Sequence, residues 1–239
     1  MLAAPSDGHA LLSLWEQALP LGALEREALL ARDGAAPALP TVGAQRLRLL
    51  ERLGDELDPR VSLRSRCPAC GDEAAFEVDL RELAGGLTAD DDGRTHTLSH
   101  GCWEIAFRLP APGDLIAAAG AADFVRDLLA RCVQRTTVDG ESQGIDALPP
   151  EVLAVLSDAM DALDPAASLA FDVACPACGN AWSAPFDPAG ALWSRLQGEA
   201  ERLLVDIDTL AQRHGWTEGE ILALSPVRRR AYLQLARAG

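Results

Sequence analysis

Two identical cysteine motifs are the part of this sequence best suited to chemistry. The string CPACG begins at Cys67 and again at Cys175, so each copy also supplies a second cysteine, Cys70 or Cys178. Two CxxC pairs provide four thiolates, which complete the ligand set of a tetrahedral zinc site. The glycine after each pair relieves a tight turn in which backbone N–H groups can point at the sulfurs. The spacing therefore predicts one Zn²⁺ shared by Cys67, Cys70, Cys175 and Cys178.

A zinc ion in such a site would be structural, because four thiolates leave no coordination position for a reacting water. Two alternatives stay open at this point: a redox role for the cysteines, and two separate half-sites or a chain that has lost its metal. Thioredoxin-like redox chemistry is disfavoured, because it needs a CxxC at a helix N-terminus and alternating, strand-like segments follow the cysteines here.

A second metal site is conceivable around Cys102, because His96 and His100 precede it in HTLSHGC and Cys132 is the remaining cysteine. The favoured interpretation is simpler. We expect Cys132 to be a small core residue on a helix, since free cysteine is commonly buried, and the two histidines to lie in a surface loop.

Catalytic motifs are scarce. The sequence contains no GxSxG, no HExxH, no GxGxxG and no glycine-rich phosphate loop. His9 and His214 are isolated, and no pair of carboxylates stands out from the acidic helix faces. We therefore expect a protein that is not an enzyme, with no catalytic residues.

The net charge of −15 disfavours general binding to phosphate backbones. The basic run at Arg228, Arg229 and Arg230 follows a helical corner that superficially suggests a helix-turn-helix. Three adjacent arginines point in different directions around a helix, so they do not form one patch. No nucleic-acid partner is expected, although a zinc-ribbon protein that binds nucleic acid or acts as a regulator remains the alternative function.

The start of the chain lacks a basic segment before its first apolar residues, and no run of 18 apolar residues occurs. These features predict a cytoplasmic protein without a membrane partner. In that reducing compartment, a CxxC pair is more often a metal ligand than a disulfide.

The repetition extends beyond the cysteines. A helical segment, an Asp-Pro dipeptide, a strand candidate, CPACG and a second strand candidate follow one another twice, after residues 39–40 and again after 148–150. The sequence therefore predicts an α+β fold built from duplicated helix–strand–CPACG–strand units that share the zinc. The predicted divisions are N-terminal helices (1–38), a first repeat (39–135), a linker (136–147), a second repeat (148–189) and a C-terminal helical tail (190–239).

Between the two motifs, local patterns predict a loop or hairpin tip over 84–101, a strand over 102–110 and a helix over 122–133. In the tail, helical spacing runs from Leu192 to Gln212, and Gly215 is placed to end that helix. Thr217 and Glu220 have the spacing of a capping box, and Ser225 followed by Pro226 predicts the start of a last helix.

The tail string LAQRHGWTEGEILALSPVRRRAYLQLA (210–236) resembles the C-terminal segment of T4-type baseplate hub assembly proteins, which belong to phage-derived contractile tails and injection systems. The similarity also includes CPACGNAW, FDPAGALW, FRLPAPGDL and LLARCV. It covers most of the chain after about residue 40.

This resemblance implies an assembly chaperone, or a minor baseplate-associated component, with baseplate hub, tape-measure or other tail proteins as partners. It supplies no catalytic residues. Of the two cysteine pairs, the resemblance implies that Cys67 and Cys70 vary more than Cys175 and Cys178. Trp193, Trp216 and Tyr232 are candidate anchors for a partner, although core packing is the favoured interpretation of these aromatic residues.

Overall fold

The computed structural model describes residues 8–32, 39–56, 60–88 and 93–238. Of these residues, 56% are helical and 20% lie in strands, which confirms the α+β class. The chain divides into two compact units, one containing residues 1–30 and 189–239 and the other residues 31–188. In the described ranges, no helix is both long enough and apolar enough to cross a bilayer.

The first unit is helical. Its described elements are α1 (Gly8–Ala18), α2 (Ala23–Ala31), α8 (Pro188–His214), α9 (Glu218–Leu222) and α10 (Pro226–Ala238). Leu203, Ile207 and Leu210 recur at helical spacing on the buried face of α8. Because a Cβ atom added to Gly8 would lie 2.6 Å from Leu222 and 3.2 Å from Leu203, the start of α1 packs closely on α8 and α9.

The tail corner forms as its sequence predicts. Gly215 ends α8 with a φ of +68°, a conformation that glycine adopts without strain. The Thr217 side chain accepts a hydrogen bond from the backbone N–H of Glu220, whose carboxylate in turn accepts one from the N–H of Thr217 at 2.8 Å. This reciprocal pair satisfies N–H groups that the first turn of α9 leaves without helical partners.

The second unit contains the cysteine motifs. Its elements in chain order are α3 (Val42–Glu56), β1 (Arg60–Arg66), β2 (Glu73–Asp79), α4 (Leu80–Gly85), β3 (His96–His100), β4 (Trp103–Phe107), α5 (Pro112–Ala118), α6 (Phe124–Cys132), β5 (Val133–Val138), β6 (Glu141–Gln143), α7 (Pro150–Leu163), β7 (Ala170–Ala174) and β8 (Ala181–Pro185). Short 3-10 helices cover Ile145–Ala147 and Pro165–Ser168.

Two antiparallel hairpins, β1–β2 and β7–β8, carry the motifs, and a separate antiparallel sheet has the strand order β3-β4-β5-β6. The main apolar cluster of this unit joins β4, α6 and α7. Cys132 is fully buried in that cluster, as predicted. Burial raises the pKa of its thiol to about 11, so Cys132 stays neutral at ordinary pH.

Two local predictions differ from the structure. Residues 84–101, expected to form a loop or hairpin tip, include β3, and the stretch 136–147, expected to be a linker, contains the turn and second strand of the β5–β6 hairpin. Strands β3 and β6 were not predicted because they are largely exposed, so their polar sequences lack the apolar alternation typical of a strand. The predicted helix end at Asp58 and Pro59 lies outside the described residues.

Candidate metal centre

The cysteine motifs form two local turns of the same geometry. In the first, the Cys67 N–H donates to the Asp72 carbonyl at 2.8 Å and the Gly71 N–H donates to the Cys67 carbonyl at 2.9 Å. In the second, Cys175 with Asn180 and Gly179 with Cys175 repeat both distances. The glycines have φ values of +77° and +73°. Each turn connects the two strands of its own hairpin and carries two of the four cysteines.

The two turns meet, and all four sulfurs lie within 4.8 Å of one another. The pairing is reciprocal: the first cysteine of each motif lies nearest the second cysteine of the other. Cys67 Sγ is 3.7 Å from Cys178 Sγ, and Cys70 Sγ is 3.6 Å from Cys175 Sγ. These separations are too long for a disulfide, whose sulfurs lie about 2.05 Å apart.

The arrangement fits a tetrahedral metal ion. Four thiolates bound at about 2.3 Å from a central ion would lie about 3.8 Å from each other, close to the two cross-motif distances. Cys67 and Cys175 are buried, at 2% and 3% exposure, whereas Cys70 and Cys178 are exposed. The site is therefore open to solvent on one side but has a complete set of four protein donors.

Hydrogen bonds around the sulfurs shift the pKa values of Cys67, Cys70 and Cys178 in different directions. Burial raises the pKa of Cys67, but backbone N–H groups of Cys70 and Ala69 outweigh it and lower that pKa to about 7. The Asp72 backbone lowers the pKa of Cys70, yet hydrogen bonds shared with Cys178 and Cys175 raise it to about 12. The pKa of Cys178 is also raised. A bound cation would lower the raised thiol pKa values, because it stabilises all four thiolates at once.

Aromatic packing holds the two hairpins together behind the sulfurs. The rings of Phe76 in β2 and Phe171 in β7 meet edge to face with centroids 5.5 Å apart. The Trp182 indole N–H donates to the Ser65 hydroxyl at 3.3 Å across the same junction. Ala74, Val173 and Ala184 complete this small core.

No family model matches the chain, and no curated protein or solved structure is significantly similar to it.

The second candidate site does not assemble. Among the described residues, Cys67, Cys70, Cys175 and Cys178 form the one group of three or more metal-binding side chains close enough to share an ion. The conceivable set of His96, His100 and Cys102 is not part of such a group, and both histidines lie in strand β3 rather than in the expected surface loop. The His96 ring instead packs at 5.6 Å from the ring of Phe107.

One neighbour of the site, Asn180, was not expected from the sequence pattern. The Asn180 amide nitrogen lies 4.0 Å from Cys67 Sγ, in reach of a weak N–H···S hydrogen bond between the two motifs. The equivalent position of the first motif is Asp72. The two motifs therefore differ in charge at this position: the second has the neutral amide of Asn180 where the first has the carboxylate of Asp72.

Proposed function

We propose that the protein is a non-enzymatic assembly factor, or a minor baseplate-associated component, of a phage-like contractile injection system. The observation that carries its non-enzymatic, structural part is the complete four-sulfur centre, which joins two hairpins through cysteines that lie 105 and 111 residues apart in the chain. Such a centre stabilises a scaffold and offers no open coordination position for catalysis. A rigid, acidic scaffold of this kind is suited to holding other proteins.

The resident ion in this proposal is Zn²⁺. Four thiolates in tetrahedral arrangement select zinc or iron, and zinc is the usual ion where the role is structural. Elemental analysis of the purified protein tests this directly. One zinc per chain is expected, whereas a coloured protein containing iron would replace zinc in the proposal.

The two helix–strand–CPACG–strand segments, in this proposal, descend from one duplicated unit. Support comes from the matched hydrogen bonds of the two turns and from their similar glycine conformations. The reciprocal pairing of first and second cysteines agrees with a two-fold arrangement of the hairpins. Because each copy supplies only two of the four sulfurs, neither copy could then complete the metal site without the other.

The contractile-tail partners rest on the resemblance of the tail string, which spans the end of α8, α9 and α10. There the Trp216 ring stacks on His214 at 4.5 Å and meets the Tyr232 ring edge to face at 4.9 Å. Both Trp216 and Tyr232 are half-buried, so each retains an accessible edge for a partner. Trp193 is also half-buried and lies against the Arg26 guanidinium at 4.3 Å.

Nucleic-acid binding receives little support. Arg229 is buried, at 9% exposure, and its guanidinium donates to the Leu224 carbonyl, which leaves Arg228 and Arg230 exposed on α10. Two exposed arginines on a chain of charge −15 provide a weak electrostatic footprint. Salt-dependent binding to duplex DNA would favour this alternative over an assembly role.

The deciding experiment is sedimentation of a lysate from the native host carrying a tagged copy of the protein. Co-sedimentation with tail particles at constant stoichiometry would identify a baseplate component. Recovery in the light fraction with one hub or tape-measure protein would identify an assembly chaperone, in keeping with a cytoplasmic location. Recovery with neither would contradict the proposal.

A further inference from the structure

An open groove lies at the junction of the two hairpins, toward the strand ends that are farther from the cysteine turns. Its volume is about 410 Å³, within the size range of ligand-binding pockets. The lining residues come from β2, from α4 and the segment after it, and from β7: Glu77, Val78, Asp79, Glu82, Leu83, Gly86, Leu87 and Phe171.

The groove has an apolar floor and an acidic rim. Val78, Leu83, Leu87 and Phe171 are half-buried and provide the floor. Glu77, Asp79 and Glu82 are the charged residues of the lining, and none of the lining residues is basic. This combination of apolar surface and one sign of charge is complementary to an apolar segment flanked by cations.

The nearest basic residue of α4 does not neutralise the rim. The Arg81 guanidinium lies 4.0 Å from the Asp55 carboxylate of α3, and Arg81 lines a different hollow, between α3 and α4. Asp79 is partly used within the chain, because its carboxylate accepts hydrogen bonds from the Arg81 and Glu82 N–H groups. Glu77 and Glu82 are exposed and provide the charge that is open to a ligand.

We propose that this groove binds a peptide segment of a partner protein in which leucine-like residues alternate with lysine or arginine. The apolar side chains would pack on Phe171 and Leu87, and the cations would face Glu77 and Glu82. The open shape suits a chain segment rather than an enclosed small molecule.

The groove depends on the junction between the two hairpins. Phe171 belongs to the second hairpin, whereas the rest of the lining belongs to the segment 77–87, so the groove exists only while the hairpins stay together. Phe171 is held by Phe76 at 5.5 Å and by Phe186 at 5.7 Å between ring centroids. This part of the inference rests on the proposed structural metal, because the ion would join the same two hairpins at their cysteine turns.

The test measures binding of a short fluorescent peptide of alternating lysine and leucine to the zinc-loaded full chain by fluorescence anisotropy. The double variant E77K/E82K is expected to bind at least about tenfold more weakly, because it reverses the rim charge. The control E104K/E141K changes the net charge equally at two exposed positions of the other sheet, and less than about a threefold loss is expected there.

Two further measurements keep the proposal falsifiable. Amide chemical shifts of the wild-type protein should move at Val78, Leu83 and Leu87 on peptide addition, and a peptide with glutamate in place of lysine should move none of them. Equal losses in the two double variants, or shifts concentrated elsewhere, would overturn the groove assignment. Zinc content and thermal stability of each variant are measured alongside, so failure of the metal proposal is seen separately from failure of the groove.

Discussion

Cys67 Sγ lies 3.7 Å from Cys178 Sγ, although the two residues are separated by 111 positions in the sequence. This contact and its counterpart between Cys70 and Cys175 close a long loop that contains the four-stranded sheet and helix α7. A metal ion at this point would restrict the unfolded chain and fix the two hairpins in the folded one. Stability and metal content should therefore change together.

The first prediction concerns the double substitution C67S/C175S, which removes the two buried ligands, one from each motif. We expect complete loss of bound zinc and a fall in Tm of at least about 10 °C, because a ligand-depleted centre no longer joins the hairpins. Elemental analysis and a thermal unfolding scan measure the two effects. The control C102S alters an exposed cysteine outside the centre and should leave both unchanged.

Unchanged zinc content and Tm in C67S/C175S would rule out the shared site. Loss of zinc with unchanged Tm would retain the site but remove its structural role, and the groove would then need another source of rigidity.

The second prediction concerns the glycines that follow the cysteines. Gly71 and Gly179 have positive φ values and no atom within 4 Å of an added Cβ, so the substitutions G71A and G179A introduce backbone strain without a clash. Each is expected to cost about 1–2 kcal/mol of stability and to speed zinc release to a chelator. In G71N the cost should be smaller, because asparagine tolerates the left-handed region better than alanine.

G85A is the matched control, since Gly85 also has free space around an added Cβ but lies in α4 without a positive φ. Equal release rates in G71A and G85A would show that the turn conformation does not control the centre.

The third prediction uses two glycines of the same helix. Gly43 N–H donates to a buried Asp164 carboxylate oxygen at 2.9 Å, so Asp164 binds the N-terminus of α3 from 121 positions away. An added Cβ at Gly43 would lie 1.6 Å from Asp164 Oδ1, and the carboxylate would have to leave. We expect G43A to destabilise the protein by roughly 2–3 kcal/mol, through loss of the cap and disturbed packing.

G54A in the same helix should have the opposite sign. An added Cβ there meets Arg81 and Leu80 at 3.4 Å and 3.6 Å, which is ordinary contact, and alanine is favoured over glycine in helices by up to about 1 kcal/mol. Chemical denaturation of both variants measures the difference. If G43A and G54A changed the free energy of unfolding by the same amount, Asp164 would not be holding the N-terminus of α3.

The cysteines and the strong periodicities were the most informative parts of the sequence. CPACG next to alternating residues predicted the four ligands, which the structure brings close enough to hold an ion. Helices α3, α7 and α8 follow from apolar residues at helical spacing, because burial of one face dictates that pattern. The tail corner follows from local capping chemistry, which acts over a few residues and is therefore visible in one chain.

The β3–β6 sheet was less visible. β5 and β6 carry mostly polar residues, and the exposed edge strand β6 has the polar pattern of a linker. The dipeptide Asp139-Gly140 was an available indication, because its φ values of +50° and +86° are those that tight hairpin turns require. Phe124 and Leu163 continue the apolar helical spacing of α6 and α7 in the sequence, yet they are 39% and 45% exposed, since tertiary packing buries only part of each apolar face.

The groove could not be predicted from sequence. It joins Phe171 to the segment 77–87, and this juxtaposition depends on the angle between two hairpins rather than on any local pattern. The carboxylates on its rim are, in the sequence, indistinguishable from the many acidic residues on solvent-exposed faces.

The last prediction concerns the ion pair between Arg108 and Asp114, which joins the end of β4 to helix α5. The Asp114 oxygens accept from the guanidinium at 2.6 Å and 2.9 Å and from the Ala111 N–H at 2.8 Å. Burial raises the pKa of Asp114, but these hydrogen bonds outweigh it, so the pKa lies below its usual 3.8. D114N should cost about 1–3 kcal/mol at neutral pH, since hydrogen bonds to a charged group are lost.

The pH dependence of this cost follows from the sign of the shift. The folded pKa is lower than the unfolded pKa, so the carboxylate contributes its full stabilisation above the unfolded value of about 4 and loses it as pH falls through the folded value. The difference between wild type and D114N should therefore stay constant from about pH 7 to pH 5, measured by urea unfolding. The control D127N removes an exposed i,i+4 pair with Arg131 and should cost at most about 0.5 kcal/mol. A D114N cost that shrank steadily over that pH range would place the titration on another group and contradict the assignment to Asp114.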